Sequence, residues 1–400
     1  MEASADAAYD ALKSQVENLK KQLEQVQKTL KSYKKTSASK NDVAKLEKKV
    51  AEASEWKSPN TLIHMSGYAD VGYSDSKDSS GSFNVGSFSP IFHFQYRDLV
   101  MLESELEFEV EADGGTNVAL EYLTVDLFLN DYMTLVAGKF LSPIGQFRQN
   151  LHPSWINKLP SAPPGFGHDG AAPVSDLGIQ LRGGFPLGGM RTNYAFYISN
   201  GPELNASTED AVDFELEGIA AEGFGRDRDG SKVYGGRFGL LPFAGLEIGL
   251  SGATGKAAVT TLENISADTL SALSGEPTRD YDVYGFDFAW QHRAINLRGE
   301  FIESRIGSAS GGTAPSSGAN WSTWYAQAAY RFLPTKFEGV LRYTDFDSPH
   351  ISEDRKQWVV GLNYLFASNV IAKFAYQFND GADGSPADDD RWLLQLAYGF

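Results

Sequence analysis

Sixteen segments in the second part of the sequence alternate apolar and polar residues. Successive side chains of a β-strand point to opposite faces, so this period gives each segment one apolar and one polar face. The segments cover residues 62–73, 91–97, 101–112, 117–130, 132–140, 176–185, 190–199, 232–241, 246–254, 281–291, 294–304, 323–332, 336–346, 357–366, 369–378 and 391–400. The pattern predicts an all-β architecture with sixteen strands.

The connections between these segments alternate in length. Turns of two to five residues join them at one end, and longer loops rich in Gly, Ser and Asp join them at the other. The long loops cover 74–90, 141–175, 200–231, 255–280, 305–322, 347–356 and 379–390, and the short segment 113–116 is the exception. An even strand number with tight turns on one side is typical of an antiparallel transmembrane barrel of the bacterial outer membrane.

The stretch "ESELEFEVE" indicates what the polar face meets. It places Glu103, Glu105, Glu107, Glu109 and Glu111 on one side of a strand, with Ser, Leu, Phe and Val on the other. Five carboxylates in a row cannot be packed into a dry core. We therefore expect them to face a water-filled lumen while the apolar side faces lipid or a neighbouring subunit.

The composition agrees with a barrel rather than a helical membrane protein. No stretch approaches the roughly 18 to 20 unbroken apolar residues of a membrane helix, whereas a barrel strand needs only alternate apolar residues. The chain has no cysteine, which excludes disulfides and thiolate chemistry. It opens "MEASADAAYD" with no visible signal peptide, so it is either cytosolic or a mature form preceded by Met1.

The first 57 residues follow a different period. Apolar residues repeat every seven positions between 9 and 33, with polar residues around them, which predicts an α-helical coiled coil. Its core positions include Leu12, Val16, Leu19, Leu23, Val26 and Leu30. The alternative is one amphipathic helix lying on the barrel domain.

Charge marks the same boundary between two domains, 1–57 and 58–400. The first has 12 Lys+Arg against 9 Asp+Glu, and the second has 23 against 43. The net charges are therefore +3 and −20.

Basic residues on polar strand faces are expected in the lumen. They include Arg182, Arg191, Arg237, Arg298, Arg331 and Arg342. Opposite the glutamate row they would set up a transverse field that orients charged solutes. The alternative is that many of them only pair with carboxylates of the wall.

The longest loop, 141–175, is the predicted constriction. It contains Arg148, His152, Lys158 and Asp169, and five prolines stiffen it. Folded inward, it would place Arg148 and Lys158 at the narrowest point. The alternative is an outer loop that covers a neighbouring subunit.

No pattern points to an enzyme, a cofactor or a nucleic-acid partner. The six histidines have no metal-ligand spacing, and no glycine loop of a phosphate site is present. Acidic loops at 225–230 and 379–390 could hold calcium, but they lack the helix-loop-helix spacing.

The end of the chain carries a resemblance to a known family. In "LAYGF", Tyr398 and Phe400 resemble the assembly signal of bacterial outer-membrane proteins, and "GKFLSPIGQFRQ" (138–149) resembles the segment before the third loop of phosphate-selective porins O and P. A coiled coil before a sixteen-stranded barrel is similar to the DcaP-like branch of that group.

This resemblance implies a homotrimer, an inward third loop and a preference for anions. It also implies the mature form of a Gram-negative outer-membrane protein, with the barrel in contact with lipid and lipopolysaccharide, the barrel-assembly machinery as an assembly partner, and the coiled coil in the periplasm.

The expected function is a passive channel for small hydrophilic solutes, weakly favouring carboxylates or phosphate. Two alternatives remain open. One is a general or cation-selective porin that uses the row Glu103 to Glu111. The other is a structural tether that joins the outer membrane to peptidoglycan through the coiled coil.

Overall fold

The computed structural model describes residues 13, 17–28, 60–77, 80–111, 113–167, 170–210, 213–220, 227, 229–263, 276–350 and 352–400. The chain forms two units, Met1–Thr61 and Leu62–Phe400. In the first unit residues 17–28 are helical, and Leu19, Leu23 and Val26 are exposed on this helix. The positions Leu12, Val16 and Leu30 lie outside the described residues, so the coiled coil remains a prediction. In the part of the chain that is described, no helix is long and apolar enough to cross a membrane.

The second unit is a closed barrel of sixteen antiparallel strands, each paired with its neighbours along the chain. The strands are Thr61–Ser76, Ser82–Tyr96, Val100–Val110, Thr116–Asn130, Met133–Leu141, Ser175–Gly183, Met190–Ser199, Val233–Phe243, Leu246–Glu263, Arg279–His292, Ile295–Ile306, Ala319–Arg331, Phe337–Asp347, Arg355–Ala367, Val370–Gly381 and Arg391–Gly399. The last strand pairs with the first from Tyr68 opposite Gly399 to Ser76 opposite Arg391, which closes the sheet. The predicted sixteen-stranded barrel is confirmed.

The strand limits differ most from the sequence prediction in three places. The second strand begins at Ser82 rather than at 91, and the ninth continues to Glu263 rather than to 254. The predicted loop 200–231 contains a hairpin, Glu203–Asp210 and Asp213–Ala220, whose first strand pairs in parallel with the ninth barrel strand. Ladder hydrogen bonds continue beyond the lipid-facing alternation, so hydropathy alone does not mark where a strand ends.

The two faces of the wall differ as the alternation predicts. In the last strand Trp392, Leu394, Leu396 and Tyr398 are each nearly half exposed on the outside, whereas Ala397 is fully buried. The end of the chain is fastened to the first strand, where Phe400 and Gly67 exchange two backbone hydrogen bonds of 2.9 Å. Only glycine fits at position 67, because a Cβ there would lie 2.4 Å from the carbonyl oxygen of Ser89.

The inside of the barrel contains a hydrophobic core as well as polar groups. Phe147 and Phe166, from the connection between the fifth and sixth strands, pack with Tyr325 and Phe346 of the wall. The rings of Phe166 and Tyr325 meet edge to face with centroids 5.0 Å apart. This connection therefore lies inside the barrel and defines the site described next.

Candidate functional site: a lumen narrowed by the third loop

The third loop, residues 142–174, crosses the lumen and contacts the wall along its length. Its first residues reach the ninth strand, where Gly145 N donates to Ser251 Oγ at 3.2 Å. Farther along, Pro164 O accepts from Thr323 Oγ1 at 2.8 Å, and Ala171 O accepts from Ser304 Oγ at 2.5 Å. Most of the loop is buried by these contacts.

A buried carboxylate holds the start of the loop. Glu300 Oε2 accepts hydrogen bonds from Gln146 N at 2.8 Å and from Phe147 N at 3.2 Å, while Tyr325 OH donates to Glu300 Oε1 at 2.7 Å. Glu300 is only 4% exposed. Hydrogen bonds to a charged acceptor are stronger than neutral ones, so this group fixes the turn at the start of the third loop.

Basic wall residues hold the middle of the loop through its carbonyls. Arg342, which is fully buried, donates to Ser161 O at 2.9 Å and to Ala162 O at 3.1 Å. Lys373 donates to the carbonyls of Ser154 and Leu159. The predicted pore cation Arg342 therefore lies behind the loop rather than beside an open passage.

Two cavities, of about 270 and 430 Å³, lie between residues 149–153 of the loop and the second to ninth strands, and we call them together the passage. Gln149, Asn150 and Arg182 line both. Glu103, Glu105, His152 and Gln180 line the smaller cavity, and Asn193, Arg237 and Glu247 line the larger one.

The two arginines that line the passage are paired with carboxylates. Arg182 Nη2 lies 2.5 Å from Asp126 Oδ2, and the Arg182 side chain remains 42% exposed. Arg237 binds Asp287 through Nε at 2.8 Å and Nη2 at 2.6 Å, and Nη2 is also 2.9 Å from Glu247 Oε1. The alternative that lumen arginines pair within the wall applies to both.

A second group of residues that lines the smaller cavity is acidic. Tyr68 OH donates to Glu105 Oε1 at 2.7 Å, and His152 Nε2 lies 3.7 Å from the same oxygen. Glu103 Oε1 accepts from Tyr122 OH at 3.3 Å and lies 3.3 Å from His93 Nε2. The partners of these two carboxylates are phenols and imidazoles rather than arginine or lysine, so their negative charge is not cancelled by a permanent cation.

The other predicted site residues are distributed around the barrel. Lys158 Nζ is paired with Glu338 Oε2 at 2.7 Å on the far wall, Arg148 is 5% exposed within the packed loop, and Asp169 lies outside the described residues. Glu107 lies beside Glu121, whereas Glu109 and Glu111 are exposed at the loop end of their strand.

Three further predicted lumen arginines lie away from the two cavities. Arg298 donates to Asn296 Oδ1 at 3.2 Å, Arg331 lies opposite Glu338 in the register of neighbouring strands, and Arg191 is exposed near a short turn. None of the three lines the two cavities described above.

Several residues that organise the site were not singled out in the sequence. They are Glu300, Glu338, Asp126, Glu247 and Gln180. Each lies at a polar position of a strand that alternates apolar and polar residues, and this alternation is the sequence signal that could have found them. The alternation predicts that these side chains face the lumen. It does not predict which of them contact the third loop.

The geometry defines a sixteen-stranded barrel with an inward third loop, the architecture of porins. The sequence matches no protein-family model and no curated relative. Solved structures do match in fold over 85% of this chain.

Three of these matches illustrate the likeness. The anion-selective porin from Comamonas acidovorans has a TM-score of 0.56 and 14% identity over its whole length. The outer membrane channel DcaP of Acinetobacter baumannii has a TM-score of 0.52 and 11% identity, with 98% of its chain covered. OmpT of Vibrio cholerae, an outer membrane protein in a trimer form, has a TM-score of 0.53 and 11% identity, with 99% of its chain covered. The resemblance seen in the sequence is thereby confirmed for the fold.

We expect Glu300→Gln to loosen the start of the loop. The amide cannot accept from both backbone N–H groups with the strength of a carboxylate, and the loss is about 1.5–3 kcal/mol. Hydrogen exchange at Gln146 and Phe147 should become about 10- to 100-fold faster, measured by mass spectrometry. The control is Glu303→Gln, on the same strand but bonded to Arg305 rather than to the loop. Equal protection in both variants would show that Glu300 does not hold the loop.

Proposed function

We propose that the protein is an outer-membrane porin, a passive diffusion channel for small hydrophilic solutes. The observation that carries the proposal is the polar passage left between the third loop and one wall of a closed barrel. The outer face is apolar enough to meet lipid, and the inner face offers water and charge. Passive channels need such a lining and no catalytic group, and the structures similar in fold include one channel and one porin by name.

The charges that line the passage support a weak preference for cations. This is the alternative in which the row Glu103 to Glu111 sets the selectivity. Arg182 and Arg237 line the passage with Glu103, Glu105 and Glu247, and each arginine is also paired with a buried aspartate behind it, Asp126 or Asp287. Five carboxylates thus lie in or directly behind the lining, against two guanidinium groups. The acidic loops contribute little there, because charges are screened over about 8 Å at physiological salt.

An anion preference, for carboxylates or phosphate, has one observation in its favour. Arg182 lines both cavities with a side chain that is 42% exposed, so an anion could reach its guanidinium group. The contact with Asp126 counteracts this attraction. For this reason we place the anion preference second.

The outer face supports assembly with further copies of the chain. From Leu99 to Ile179 the large exposed side chains of the strands are aliphatic, including Val118, Leu123 and Val125. From Tyr284 to Phe400 they are mainly aromatic. Aromatic side chains mark the borders of a lipid-facing surface, so the aliphatic sector is the better candidate for a subunit contact.

A charged residue in the aliphatic sector strengthens this assignment. Lys139 lies between outward Leu123 and Leu177 in register, and its Nζ donates to Leu120 O at 2.6 Å. A lysine facing hydrocarbon at mid-membrane costs about 2–4 kcal/mol. A contact between subunits removes that cost, which supports the proposed homotrimer.

The remaining partners follow from the proposed location. Tyr398 and Phe400 end the outward row of the last strand, where the barrel-assembly machinery would read them. The structural tether to peptidoglycan relies on the lysine-rich run from Lys28 to Lys49, of which Lys28 alone belongs to the described residues. It remains the alternative function and is compatible with a channel.

Single cysteines test the channel and its constriction, since the chain has none of its own. Wild-type protein should give stepwise conductance in planar bilayers. A charged methanethiosulfonate should lower the current of Asn150→Cys, because Asn150 is exposed and lines both cavities. Phe83→Cys, at a position that is 86% exposed and lines neither cavity, is the control. A protein that inserts without conductance would refute the porin proposal.

Reversal potentials across a KCl gradient test the selectivity. We expect a cation preference that falls in Glu103→Gln/Glu105→Gln by about threefold per charge, since a unit charge about 7 Å from an ion in water contributes roughly 0.6 kcal/mol. Glu109→Gln, farther along the same strand face, is the matched control. Anion selectivity that is lost in Arg182→Gln would reverse the order of the two candidates.

A bulky substitution tests the subunit contact. Val125→Trp should convert trimers to monomers, because an indole overpacks a subunit contact. Leu341→Trp should leave trimers intact, because lipid accommodates an indole. The two positions are 42% and 44% exposed, which makes them a matched pair. Native mass spectrometry gives the readout, and trimers in both variants would place the contact elsewhere.

A further inference from the structure

Two histidines that are far apart in sequence meet on the lumen side of the first two strands. His64 Nδ1 and His93 Nδ1 are 3.2 Å apart, and the ring centroids are 5.4 Å apart. The rings therefore face each other through their Nδ1 edges. Both residues lie toward the strand ends that carry the short turns, and His64 is exposed to solvent.

A carboxylate favours one tautomer of the His93 ring. His93 Nε2 lies 3.3 Å from Glu103 Oε1, so the Nε2–H tautomer is favoured and Nδ1 keeps a free lone pair. Glu103 is held in turn by Tyr122 OH. A carboxylate that binds the far nitrogen of an imidazole is the usual support of a metal-bound histidine.

The spacing of the two nitrogen atoms fits one metal ion. Zinc binds imidazole nitrogen at about 2.05 Å, and two such ligands at the tetrahedral angle lie about 3.3 Å apart. The observed 3.2 Å between the two Nδ1 atoms matches this separation. Without metal, His64 Nδ1–H can donate to His93 Nδ1. Because His64 is exposed, its proton can move to Nε2 through water and free the second lone pair.

We propose that His64 and His93 form a binding site for a divalent transition-metal ion, such as Zn²⁺, at the turn-side mouth of the lumen. Among the described residues no three His, Cys, Asp or Glu side chains surround one point, so water completes the coordination. Glu103 acts as a positioning residue. The bound ion adds two positive charges beside Glu103 of the acidic wall.

Zinc binding to the detergent-solubilised full chain is the first test, measured by calorimetry with ZnCl₂ and reversed by EDTA. Wild type should bind, and His64→Gln and His93→Gln should each bind at least about tenfold more weakly. His292→Gln, whose ring stacks on Trp290, is the matched control and should bind as wild type does. A heat-dependent gel shift verifies that each variant is folded.

Bilayer current is the second test, and it rests on the proposed channel function. Submillimolar ZnCl₂ should lower the wild-type and His292→Gln currents reversibly, and leave the His64→Gln/His93→Gln current unchanged. Equal zinc affinity of all variants, or no zinc binding by wild type, would overturn the site. A protein without current that still binds zinc through this pair would refute the channel and leave the site intact.

Discussion

A sheet without open edges satisfies all its backbone hydrogen bonds within the protein, and this requirement shapes the whole barrel. The sheet meets it by closing on itself through the pairing of the first and last strands. Closure then fixes which side chains of every strand point outward and which point inward. One face is mainly apolar, and most polar side chains of the wall point inward. The crowded charges of the lumen follow from the same requirement.

The same requirement explains how a loop can lie inside the barrel. An irregular segment offers carbonyl and N–H groups that find no ladder partner, and buried polar groups without partners are costly. The wall supplies those partners as side chains. Arg342 and Lys373 donate to loop carbonyls, while Glu300 accepts from loop N–H groups. The cations most deeply placed in the lumen are thus used to fix the loop, and fewer remain to face a passing solute.

The fold could be predicted from the sequence because alternation and loop length are local signals repeated sixteen times. The position of the third loop inside the barrel was also anticipated from its length, prolines and resemblance. The site was less predictable. Arg148 and Lys158 were expected at the narrowest point, yet Lys158 meets Glu338 and Arg148 is packed inside the loop. Which wall residue meets which loop atom depends on barrel closure and register, and these bring wall and loop residues such as Lys373 and Ser154, 219 positions apart, into contact.

The contact between His64 and His93 could likewise not be predicted from the sequence. It also links the proposed metal site to the charges that line the lumen. The 29-residue separation of the two histidines has no motif, since only the pairing of the first two strands brings them together. Glu103 belongs both to this pair and to the smaller cavity. In the proposed channel, the charge of Glu103 acts on a passing ion and on the imidazole at once. Because the arginines of the passage are already paired, we expect a few groups on the second to fourth strands to dominate the local potential. A change in the charge state of that small group would alter the field more than the many carboxylates of the outer loops, which solvent screens.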